Sequence, residues 1–189
     1  MPVFTSAKEQ RLWTWALLVL LAIFATLFLG QPLEQLFRSQ DVRAAVFLLV
    51  MLLVGAAILV HSLKTKPGKT EIVVLLGITA VYIMFFLRLG MPERSHLMEY
   101  SILAIFIHKA LIERKSQGRR IPLPALLALL ASFMIGVLDE CIQLFLPYRV
   151  FDPEDILFNG LAITMAIGSY LILAWVRKKR SKSKTEKHE

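Results

Sequence analysis

The sequence predicts an all-α membrane protein: a bundle of about six transmembrane helices with both termini in the cytoplasm. Three observations predict it. The chain is 57% hydrophobic, with a mean hydropathy of +0.63, and its apolar residues gather into long runs with few charges. Glycine, proline and polar residues punctuate those runs. Lysine and arginine are rich on alternate flanks, the asymmetry that orients helices in a bilayer. A chain of 189 residues has no soluble core large enough to hide this much apolar surface, so one membrane domain is expected.

Crossing a hydrocarbon core of about 30 Å takes on the order of 20 helical residues. The runs that meet this are 12–29, 44–63, 72–87, 96–112, 123–146 and 156–176. The breaks are Gly30-Gln31-Pro32, Lys66-Pro67-Gly68-Lys69, Gly90-Met91-Pro92, Gly118 to Pro124 and Pro147 to Pro153. The first run has a basic flank, Lys8 and Arg11, as a signal peptide would. Its apolar stretch is long and Phe28-Leu29-Gly30-Gln31 lacks a small-x-small cleavage site, so it is read as a helix. The division expected is a three-helix part over 1–95, motif-bearing helices over 96–176 and a basic, disordered cytoplasmic tail over 177–189.

With the N-terminus inside, the inner flanks carry Lys8, Arg11, Lys64, Lys66, Lys69, Arg114, Lys115, Arg119, Arg120 and the basic tail. The outer flanks carry Arg38, Arg43, Arg88, Arg94 and Arg149, a ratio of about three to one. This placement accounts for the net charge of +8 better than nucleic-acid binding does, and no nucleic-acid partner is expected. The expected location is the cell membrane, multi-pass. Cys141 is the single cysteine, so no intrachain disulfide can form, and its position in an apolar run suggests a small buried hydrophobe.

Ionisable residues inside spans are costly and mark function or a specific packing contact. Three groups stand out. His96, Glu99 and Tyr100 are spaced i, i+3, i+4 at the start of the fourth run and share a helical face. There Ser95 is a candidate cap, and helix-start chemistry would account for Glu99. Asp139, Glu140 and Gln143 lie near the end of the fifth run, where adjacent carboxylates need a cation, a proton or a metal. Ala128, Ser132 and Gly136 lead to Glu140 at intervals of four, a close-packing stripe. Arg149, Asp155 and Asn159 belong to the last outer loop and the start of the sixth run, and Gly160, Thr164 and Gly168 suggest a second stripe. Asp152 before Pro153 reads as a turn and helix start. In the expected topology all three groups meet on the outer side, while the inner ends carry only lysines and arginines.

Asp139-Glu140-x-x-Gln143-x-Phe145-x-Pro147-x-Arg149, followed by Asp155-x-x-x-Asn159, resembles the signature of VanZ-like integral membrane proteins. His96-x-x-x-Tyr100-x-x-Leu103 resembles that family's other motif. The resemblance covers about residues 93–166, and the earlier helices match in hydropathy alone. Glu93 and Arg94 stand where members often have a lysine before the histidine, and Ala162 and Ala166 stand where glycines are frequent. The resemblance implies a membrane helix bundle and this motif map, and a tie to the cell envelope and antibiotic resistance, the family being named from an accessory protein of glycopeptide resistance.

Three functions from different classes follow. The first is an accessory binding protein whose partners are membrane lipids, a polyprenyl-phosphate-linked or peptidoglycan precursor among them. Its ligand-binding residues would be Arg94, His96, Tyr100, Gln143, Arg149 and Asn159, since arginine forks suit oxyanions. The second is a membrane enzyme acting on such a precursor, with His96, Glu99, Asp139, Glu140 and Asp155 as candidate catalytic groups. A metal held by His96 and carboxylates is a variant of it, but no metal ligands and no cofactor are assigned. The third is a structural bundle serving a partner protein.

Overall fold

The computed structural model describes residues 4–36, 39, 42, 67–88, 91–147, 149 and 151–185. Among the described residues the chain forms five helices and no strand. They are α1 (Ala7–Leu36), α2 (Lys69–Arg88), α3 (Met91–Ser116), α4 (Pro124–Gln143) and α5 (Pro153–Thr185). All but α3 are long and apolar enough to cross a membrane. The expected span 44–63 lies outside the described residues.

Local chemistry sets the helix ends. Ser6 caps α1: its Oγ accepts the Glu9 backbone N–H at 3.0 Å, while the Glu9 carboxylate accepts from the Thr5 backbone. Pro124 opens α4 in the first turn, where no N–H is missed. Asp152 opens α5, its side chain accepting the Glu154 backbone N–H at 2.8 Å. Gly118, at φ +85°, closes the turn after α3.

Three expected boundaries move. α1 runs through Pro32 to Leu36, as membrane helices can, because their neighbours re-satisfy the freed backbone groups. α3 starts at Met91, so Ser95 lies inside the helix rather than at its N-cap. Glu99 then sits in the third turn, too far in for helix-start chemistry to explain it. α5 continues to Thr185, so residues 177–185 of the basic tail are helical rather than disordered. Lysine and arginine are good helix formers, and Arg177 and Arg180 are tied to Glu71.

Side-chain pairs give the helix directions. His96 faces Asp155 and His108 faces Tyr170, so α3 and α5 run parallel. Ser6 meets Glu113 and Trp15 stacks on Phe106, so α1 is antiparallel to α3. Glu71 meets Arg177, and Tyr82 reaches Ser101, which bonds the Ala162 carbonyl, so α2 is antiparallel to α5. The end of α4 therefore lies with the starts of α3 and α5. The starts of α1 and α2 lie with the ends of α3 and α5 at the opposite end.

α3 is the central helix. It packs against α1, α4 and α5, while α2 leans on α5. Leu97, Tyr100, Leu103, Ala104 and Ile107 of α3 meet Ile23, Ala128, Ile163 and Ile167 of its neighbours. Surrounded by protein, α3 can carry polar side chains that lipid would not tolerate. The outer faces are apolar: Leu17, Leu21 and Phe28 on α1, Val73, Leu76 and Leu87 on α2, Leu130, Met134 and Leu138 on α4, and Leu157, Leu171 and Trp175 on α5. A water-facing domain does not present such continuous apolar area, and a lipid-facing one does.

The end opposite the motifs is not purely basic, as the sequence suggested. Glu9, Glu71 and Glu113 are buried there. Lys8 Nζ lies 2.6 Å from Glu113, Arg114 lies 3.5 Å from Glu9, and Arg177 and Arg180 lie 2.5 and 3.7 Å from Glu71. The Lys8 hydrogen bond, with those from Gln117 and Ser6, holds Glu113 below the usual carboxylate range. His108, in the half read as apolar but for Lys109, is buried edge-on to Tyr170 at 4.9 Å. Cys141 is exposed rather than buried, because its neighbour Glu140 takes the inward direction.

Candidate functional site

Each of the three polar groups comes from a helix terminus at the same end of the bundle. α4 supplies the most buried part. Ala128, Ser132, Gly136, Asp139, Glu140 and Gln143 face inward, while Leu130, Met134 and Leu138 face out. The close-packing stripe expected on α4 is therefore present. Gly136 is where it matters most: a Cβ there would lie 3.1 Å from Asn159 Cβ and Nδ2 and 3.3 Å from Tyr100 Cε1. The bare backbone lets α3, α4 and α5 converge just before the two carboxylates.

The stripe expected on α5 is different. Thr164 is exposed and bonds back to the Gly160 carbonyl at 2.8 Å, and a Cβ at Gly168 would meet nothing within 4 Å. The buried face runs instead through Asn159, Ala162, Ile163, Ala166 and Ile167, at spacings of three and four. Small residue type alone did not identify the face: Gly160 packs on Phe133, whose ring a Cβ would meet at 3.3 Å, while Thr164 turns outward.

Around this convergence the side chains pair both within and across helices. The Tyr100 hydroxyl donates to Asp139 Oδ2 at 3.0 Å. His96 stacks on Tyr100 at 6.0 Å between ring centroids, and its Nε2 lies 3.6 Å from Asp155 Oδ2. Gln143 Nε2 donates to Glu140 Oε1 at 3.0 Å. Arg149 donates to the Thr26 carbonyl of α1 at 2.9 Å, and its charge acts on both Glu99 and Asp139. Asn159 is fully buried, one turn beyond Asp155. Nine of the ten residues singled out in the sequence thus gather here, and the side chain of Arg94 lies outside the described residues.

The cluster is not fully paired. His96 Nδ1, Asp139 Oδ1, Glu140 Oε2, both amide atoms of Asn159 and the Ser132 Oγ are buried with no hydrogen-bond partner among the described residues. A buried group left unpaired costs roughly 1–3 kcal/mol, whereas an interhelical hydrogen bond in a membrane contributes about 0.6–2 kcal/mol. The sequence reading missed Ser132 as a polar participant and the Thr26 carbonyl as the Arg149 anchor. Ser132 was legible only as a small residue, and a backbone carbonyl leaves no trace in residue identity.

A sequence-family model described as VanZ/LLP1 matches residues 14–174. No curated protein and no solved structure matches the chain.

Proposed function

The chain belongs to the VanZ/LLP1 family, and we propose that its motif residues form a site for the anionic head group of an envelope lipid or lipid-linked glycan precursor. Within this reading the chain crosses the cell membrane six times with both termini in the cytoplasm, and the site faces outward. It serves as an accessory factor in cell-envelope processes, glycopeptide resistance among them.

Two features support the six spans and their direction. α1 ends at the motif end of the bundle and α2 begins at the opposite end. The lysine-rich flanks fall at the end holding the start of α1 and the end of α5.

The observation that carries the binding reading is the set of unpartnered buried polar atoms at a helix-end level beside Arg149. Arginine has five N–H donors in a planar fork suited to a phosphate, and His96 adds a second basic group. Photo-crosslinking of a polyprenyl-phosphate probe to the protein in native membranes tests it. Labelling that drops at least tenfold in Arg149→Ala supports the reading, and labelling indifferent to Arg149 removes it.

A second reading, a membrane enzyme acting on the same class of lipid, draws on His96 lying against Asp155 and stacked on Tyr100. A histidine oriented by a carboxylate is the usual form of a general base. An unchanged envelope-lipid profile in a His96→Ala strain counts against it.

A further inference from the structure

We propose that His96, Asp139 and Glu140 form a binding site for one divalent transition-metal cation of the zinc or manganese class. One donor atom from each of the three lies within 4.8 Å of the others. Zinc binds nitrogen and oxygen donors at about 2.0–2.2 Å, so donor atoms around one ion stand roughly 3–4 Å apart. The present spacing is somewhat wider, so the three side chains would draw together around the ion.

Among the described residues, each of the three side chains turns one atom to a neighbour and leaves the other without a hydrogen bond. Asp139 gives Oδ2 to Tyr100 and leaves Oδ1 without a partner. Glu140 gives Oε1 to Gln143 and leaves Oε2 without a partner. His96 sets Nε2 toward Asp155 and leaves Nδ1 without a partner. Asp139 and Glu140 are at least 98% buried, so their bare oxygens are shielded from bulk solvent. Outer partners that orient a ligand by its far atom are the regular companions of a metal site, and a carboxylate beside a metal-binding histidine is the commonest of them.

Charge argues the same way. Glu99, Asp139, Glu140 and Asp155 share the cluster with His96 and Arg149. Carboxylates taken out of water in such numbers need compensation. A divalent cation supplies it as the largest local charge. One imidazole with two carboxylates suits zinc or manganese, while magnesium and calcium favour oxygen-only shells. The inference holds whichever head group the site accepts, since it concerns the cation alone.

The test uses the full-length protein purified in detergent, stripped with a chelator, and then titrated with Zn2+ and Mn2+ alone. The protein should retain about one equivalent of one of these metals after desalting, with a raised melting temperature. Glu140→Gln and Asp139→Asn, isosteric and uncharged, should lose that retention, and Tyr100→Phe should weaken it about 10- to 100-fold. A variant with His61, His108 and His188 replaced by alanine should keep it. Wild-type protein that retains neither metal overturns the proposal. So does retention that survives in folded, monodisperse Glu140→Gln, or that follows the three other histidines.

Discussion

The Tyr100 hydroxyl donates to Asp139 Oδ2 at 3.0 Å, joining the central helix α3 to α4 at the buried end of the motif cluster. The other oxygen of Asp139 has no hydrogen-bond partner among the described residues, so this bond is what holds the carboxyl group. Tyr100→Phe keeps the ring and removes the bond. Loss of the partner of a buried acceptor costs about 1–3 kcal/mol. A lower melting temperature of the purified variant, with unchanged helical content, is the expected result, and an unchanged melting temperature contradicts it.

Glycine substitutions should rank by what a Cβ would meet. Gly136→Ala drives a methyl to 3.1 Å from Asn159 and 3.3 Å from Tyr100, an overpacking that costs about 1–3 kcal/mol. Gly160→Ala meets only the Phe133 ring edge at 3.3 Å and should be milder. Gly168→Ala meets nothing within 4 Å among the described residues and should stabilise by up to about 1 kcal/mol through helix propensity. Thermal stability of the three variants in one detergent checks the order.

Lys8 and Glu113 should give a pH-dependent contribution. Glu113 is held below its ordinary value by the Lys8 hydrogen bond. A carboxyl depressed in the folded state contributes stability above its unfolded value, and loses it as pH falls through the folded value. Glu113→Gln should therefore melt at a lower temperature than wild type at pH 7. The gap should narrow as pH drops below the ordinary carboxylate range. A gap that widens toward acid pH contradicts the assignment.

The orientation of the site is checked by thiol labelling of intact cells. Cys141 is exposed and is first replaced by alanine. Single cysteines at Asp152 and Ser181, both exposed, then report the two ends. A membrane-impermeant reagent should label position 152 and spare 181. The reverse pattern places the cluster in the cytoplasm and sends the ligand search there.

Much of this was legible in the sequence. Runs of apolar residues fix helices in a bilayer because each helix satisfies its own backbone hydrogen bonds, and four of the expected runs, 12–29, 72–87, 123–146 and 156–176, fall on helices long and apolar enough to cross a membrane. The motif residues could be read too, since a buried charge stands out against an apolar run: Asp139, Glu140 and Gln143 face inward as their spacing suggested. Three kinds of feature could not be read. Only tertiary contact distinguishes the row through Gly160, Thr164 and Gly168 of α5 from its buried face through Asn159 and Ala162, because both have helical spacing. Only the packing of α1 on α3 and of α2 on α5 shows that Glu9, Glu71 and Glu113 are buried partners of the basic flanks, since their cations lie up to about a hundred residues away. And only the meeting of three helices shows which atom of His96, Asp139 and Glu140 is held and which is left bare, because hydrogen-bond pairing is a property of positions in space and not of residue types along the chain.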